Sequence, residues 1–174
     1  MAASRTALRL TRRASRTELA VLGVLAVLVV AAAVASLVLA PRVSAAQDRG
    51  DREQAILHAA RQEAVDFTTL DYRQLDRDLG RVLDGATGSF RSEFQSGTKD
   101  LRSVVIANQT VSTGTVLSAG LVSADADSAR VLVVADSLVT NVKDTKGTPR
   151  HYRLQLDLVR QHGRWLTTDL QFVG

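Results

Sequence analysis

The chain has 174 residues, 22 of them Lys or Arg and 18 Asp or Glu, and contains no cysteine. The lack of thiols excludes disulfides, iron–sulfur clusters, thiol catalysis and Cys-ligated zinc. The basic excess is local, because residues 1–40 hold five Arg and one Glu and leave residues 41–174 with 17 charges of each sign; a nucleic-acid surface needs clustered positive charge, so no nucleic-acid partner is expected.

Residues 1–18 form a basic tail carrying Arg5, Arg9, Arg12, Arg13 and Arg16, offset only by Glu18. The next 22 residues, Leu19 to Ala40, are uncharged: six Leu, seven Val, seven Ala, Gly23 and Ser36. As a helix this stretch covers roughly 33 Å, enough to cross a hydrocarbon core of about 30 Å. Basic flanks stay in the cytoplasm, so the tail is expected inside and residues 41–174 outside. The alternative is a cleaved signal peptide ending near Ser44-Ala45-Ala46. Signal-peptide cores usually run about 7–15 apolar residues, and this one is longer. A retained signal anchor is therefore expected, making a single-pass cell-membrane protein with the lipid bilayer as its first partner.

Residues 41–70 read as a juxtamembrane segment. After Pro41, the run from Arg49 to Leu70 places Ile56, Ala60, Ala64, Phe67 and Leu70 at helical spacing. Arg52, Glu53, Arg61, Gln62 and Asp66 are expected on the opposite, solvated face. Such a narrow stripe stabilises a helix mainly by docking.

Residues 71–174 read as one extracytoplasmic domain. Thr69-Leu70-Asp71 offers a cap for a short helix with Tyr72, Leu75, Leu79, Val82 and Leu83 along one side. A turn from Asp84 to Ser89 follows. The next helix carries Phe90, Phe94, Leu101, Val104 and Val105 on one face, with Gly97 expected to bend it.

From Thr110 the period changes to two. Val111 to Leu121 reads as a first strand with Gly114 and Gly120 as bulge points. Arg130 to Val142 reads as a second, apolar on both faces over Val131–Ala135 and so expected to be covered from two sides. Tyr152, Leu154, Leu156 and Leu158 alternate along a third, and Arg164 to Val173 forms the last. Helices followed by a run of strands predict an α+β fold: a curved antiparallel sheet of about four strands with helices packed on one face.

Chemistry-bearing residues are few. His58, His151 and His162 have no second ligand at metal spacing. Asp125 and Asp127 lack the Gly and distal Glu of a calcium loop. Residues 85–89, Gly-Ala-Thr-Gly-Ser, precede a helix and could hold an anion or simply cap it. Asn108-Gln109-Thr110 matches a glycosylation sequon. Asp136 is the one carboxylate well inside an apolar strand, on the side of Leu132, Val134 and Leu138, and is the pocket candidate. Such a carboxylate could be a general base, a paired structural Asp or a group on a solvated edge. No catalytic residue, cofactor or metal is expected.

The order of parts resembles the actinobacterial Mce-associated membrane proteins, accessory proteins of mammalian-cell-entry lipid transporters. The residues that carry the resemblance are Asp71-Tyr72 with Leu75 and Leu79, Thr87-Gly88-Ser89-Phe90 with Phe94, and Gly163-Arg164-Trp165-Leu166 with Leu170. The resemblance implies a nuclear transport factor 2-like cone. It also implies a non-enzymatic role stabilising an importer of sterols or fatty acids, with Mce-type transporter subunits as partners. Two alternatives share that cone: a small-ligand-binding or enzymatic domain, and a scaffold subunit of a type IV-like secretion system. Fold kinship alone does not choose among them.

Overall fold

The computed structural model describes residues 47–174, together with residues 25 and 28–30. The chain divides into two units, Met1–Asp48 and Arg49–Gly174. In the first, Leu25 and residues 28–30 are helical and more than half exposed. Among the described residues no helix is long and apolar enough to cross a membrane. The expected span from Leu19 to Ala40 falls largely outside them, as do Arg5, Arg9, Arg12, Arg13 and Arg16.

The second unit is α+β. Helix α1 (47–68) is followed by a two-residue strand β1 (Leu70–Asp71), helices α2 (Leu75–Gly85) and α3 (Gly88–Asn108), and strands β2 (Val111–Ala124), β3 (Ser128–Thr140), β4 (Thr148–Gln161) and β5 (Arg164–Phe172). All neighbours pair antiparallel in the order β1-β2-β3-β4-β5. The sheet thus has five strands. Its extra member occupies the Leu70-Asp71 position expected as a helix cap, and α2 starts at Leu75 without a side-chain cap bond.

The main core forms where α1 lies on the sheet. Ile56, Ala60 and Ala64 are fully buried against Val131, Val133, Leu154, Leu156, Leu158 and Trp165. Two alanines in the contact stripe let the helix backbone approach the strands closely, so area is buried with little side-chain entropy lost. A second cluster joins Leu75 and Leu79 of α2 to Val105 of α3, and a third joins Val82, Ala86 and Phe90. Phe67, Phe90 and Phe94 meet with ring centroids 6.0–6.3 Å apart.

Four details depart from the sequence reading. Helix α3 runs unbroken through Gly97, where an added Cβ would meet open space. Val104, expected on its apolar face, is 59% exposed. The register shifts of β2 fall at Val116/Ser118 and at Leu121/Ser123, the second directly after Gly120 and neither at Gly114. Gly114 instead admits α1's C-terminal end: a Cβ there would sit 2.0 Å from Thr68 Oγ1, and the Gly114 amide donates to Thr69 Oγ1 at 3.1 Å. Finally, among the described residues β3 is covered on one side only. Val131, Val133 and Ala135 are buried while Leu132 and Leu138 are 43% and 49% exposed, because every helix contact in the main core comes from α1.

Candidate functional site

Helical register places two carboxylates on apolar faces. Glu63 lies seven residues after Ile56, and Asp78 three after Leu75, so both share the buried stripe of their helix. Glu63, Asp66 and Asp78 are accordingly 3%, 7% and 2% exposed. Burying three carboxylates requires compensation, and Arg81 of α2 supplies much of it. Its Nε donates to Asp66 Oδ1 at 2.9 Å, and Nη1 lies 3.1 Å from Asp78 Oδ1. Gln62 Nε2 donates to Asp66 Oδ2 at 2.9 Å, and the Asp71 amide donates to Asp78 Oδ2 at 2.8 Å. Asp78 thereby ties α2 to strand β1.

Glu63 is treated differently. Its Oε1 is buried with no hydrogen-bond partner, and no cation lies within ion-pair distance of it among the described residues. The carboxyl packs against Gly85, where a Cβ would meet Glu63 Oε2 at 1.8 Å. Burial, reinforced by the negative charge of Asp66, pushes the Glu63 carboxyl up to about 8. Glu63 lines a cleft of about 500 Å³ with His58, Asp66, Arg81, Asp84, Arg164 and Trp165. Arg164 Nη2 donates to the Asp84 main-chain carbonyl at 3.1 Å, both residues lining the cleft.

A second cavity, of about 390 Å³, opens between α3 and the sheet. Its walls are Phe67, Leu79, Val82, Phe94, Leu101, Val105, Val139 and Phe172, with Thr68, Ser112 and Tyr152 as polar points. A few polar groups in an apolar lining are the usual make-up of a small-molecule pocket. Asp66 borders both cavities.

Asp136 lines neither of them. It lies on the open face of β3, where its Oδ1 meets His151 Nδ1 of β4 at 2.7 Å across the register pair Asp136↔His151. The His151 side chain is 75% exposed. Asp136 is thus a paired surface group in this fold, because strand alternation turns Ala135 and Ser137 inward. His58 is exposed at the cleft rim, and His162 occupies the β4–β5 turn with φ 50°. At residues 85–89 the Thr87 amide donates to the Thr167 carbonyl at 2.8 Å, and Ser89 Oγ donates to the Thr168 carbonyl. Asp125 closes the β2–β3 turn through its amide and the Ser128 carbonyl at 2.8 Å. Asn108, at the end of α3, donates from Nδ2 to the Val104 carbonyl at 2.8 Å.

The fold and its clefts define a class: an α+β domain whose helices cover one face of a curved five-stranded antiparallel sheet. The chain belongs to the family described as uncharacterized protein Rv1363c/MT1408-like, which it matches over residues 17–174. Uncharacterized protein Rv1363c of Mycobacterium tuberculosis (strain ATCC 25618 / H37Rv) is 35% identical over 128 residues, covering 74% of this chain and 49% of that protein. The chain therefore spans about half the length of this relative. The periplasmic domain of DotI superposes with a TM-score of 0.59 at 13% identity, over 69% of this chain and 94% of that one. An IcmL-like type IV secretion system protein from Legionella pneumophila gives 0.51 at 14% identity, over 67% and 88%. An Ntf2-like protein involved in plasmid conjugation gives 0.47 at 12%, over 70% and 49%. The first two likenesses establish a shared fold.

Proposed function

We propose that this protein is a non-enzymatic accessory subunit, tethered to the cell membrane by residues 19–40 and presenting residues 49–174 outside the cytoplasm. The observation that carries this reading is the joining of a 22-residue uncharged stretch behind five arginines to a folded unit that shares its architecture with a periplasmic domain. A nuclear transport factor 2-like cone is the natural description of that unit. The buried carboxylates support a structural role, since Asp66 and Asp78 are spent on Arg81 and on the β1 amide.

The assembly we infer is an Mce-type lipid importer, with the domain docking on its substrate-binding and permease subunits and holding them together. A second reading is a scaffold subunit of a type IV-like secretion machine, favoured by the fold shared with the DotI domain and the IcmL-like protein. The apolar cavity beside α3 favours a third, ligand binding by the cone itself. Affinity purification of the full chain from native membranes after mild cross-linking separates the first two. Recovery of permease and Mce-type subunits supports the importer; recovery of secretion ATPase components replaces it with the scaffold. Recovery of neither, with normal lipid uptake in a deletion strain, overturns the accessory role.

A further inference from the structure

Once Glu63 is ionised, the cleft around it is one positive charge short. Glu63, Asp66 and Asp84 line it against Arg81 and Arg164, and Arg81 is shared with Asp78 directly behind it. The exposed Arg77 approaches Asp78, at 3.5 Å, and His58 stands at the rim. Every buried carboxylate here except Glu63 has a cation or amide partner. Glu63 Oε1 is buried without a partner, and Glu63 itself lines a cleft roomy enough for a small molecule or a long side chain. Beside it, Trp165, Ala55 and Ala59 offer an apolar and aromatic wall suited to an alkyl stem bearing a cation.

We propose that this cleft binds a primary ammonium or guanidinium group, with Glu63 as the buried anionic contact and Trp165 flanking the stem. The proposal is independent of which assembly the domain serves. An arriving cation supplies the missing partner, Glu63 ionises, and its proton leaves to solvent. Binding therefore strengthens as pH rises toward the titration of the free site. The charged and titratable groups lining the cleft with Glu63 are His58 and Asp66 on α1, Arg81 and Asp84 on α2, and Arg164 at the start of β5, with Asp78 paired to Arg81. The group could belong to a free amine or to a Lys or Arg side chain of a docked protein.

The test is carbon NMR of the Glu63 carboxyl in the full chain in detergent, titrated between about pH 5 and about pH 10. Three samples are compared: no addition, agmatine, and a blocked hexapeptide with one central arginine. With either probe saturating, the Glu63 midpoint should fall by about one pH unit or more, and Glu63→Gln should weaken binding about tenfold or more. A response to agmatine identifies a soluble amine, and a response to the peptide alone identifies a partner's side chain. If neither probe moves the midpoint at about 10 mM, or Glu63→Gln binds as well as the native chain, the proposal is overturned. Titration of the native chain decides the question even if the variant fails to fold.

Discussion

Replacing Glu63 with Gln should remove a pH dependence of stability that the native protein carries. The folded state holds the Glu63 proton more tightly than the unfolded chain, with the carboxyl raised from 4.5 to about 8. The unfolded state thus binds fewer protons across this window, so stability falls as pH rises from about 4.5 and levels off above about 8. Each tenfold in proton affinity is worth about 1.4 kcal/mol. The full loss is on the order of 5 kcal/mol, with about 3 kcal/mol already gone at pH 7. That is a large share of the roughly 5–15 kcal/mol by which a domain is stable. Asp71, Asp144 and Asp157 do not mask the effect. Hydrogen bonds from Arg73, Thr148 and Arg130 respectively hold them below their usual 3.8, so the stability they contribute is lost only as pH falls further. Trp165, the single tryptophan, lines the same cleft and reports unfolding by fluorescence. In urea, with a slope of about 1–3 kcal/mol per M, the native midpoint for residues 49–174 should drop by about 2 M between about pH 5 and about pH 8.5. The Glu63→Gln midpoint should move far less and lie above the native one at the higher pH. Parallel pH profiles for the two proteins would refute the reasoning.

Other substitutions probe the same geometry. Gly85→Ala should cost about 1–3 kcal/mol, because its Cβ would overlap Glu63 Oε2; adding Glu63→Ala should recover part of that loss in a double-mutant cycle by urea unfolding. Arg81→Ala should cost about 2–4 kcal/mol by leaving Asp66 and Asp78 without their shared guanidinium, discounted for its partial exposure. Leu156→Ala, at a fully buried position facing α1, should cost about 2–5 kcal/mol by calorimetry.

The strands are legible in the sequence because each alternates against a single helical layer, and Tyr152 to Leu158 shows it most clearly. The α1 stripe is legible for the same reason, with Ile56, Ala60 and Ala64 all reaching the core. Strand β1 is not, since two residues are too short to show any period and its pairing with Val111 and Ser112 is a tertiary event. Residue type hides the site. Charge alone argues for Asp66 in solvent, and the same bias conceals Glu63, although its seven-residue offset from Ile56 puts it on the buried face. The cue present in the sequence is a carboxylate at apolar register on two successive helices, with an arginine three residues after the second. Asp136 stands out for the opposite reason: its strand looks apolar on both sides, but the side it faces also carries the exposed Leu132 and Leu138.

The proposed role requires residues 49–174 to stand outside the cytoplasm while residues 1–18 remain inside. Because the chain has no cysteine, Ser4→Cys and Ala126→Cys variants provide clean single-site reporters, the second in the exposed β2–β3 turn. A membrane-impermeant maleimide applied to spheroplasts should label Ala126→Cys at once and Ser4→Cys only after lysis. Labelling of Ser4→Cys in sealed spheroplasts, with Ala126→Cys protected until lysis, would contradict the proposed topology and the accessory role built on it.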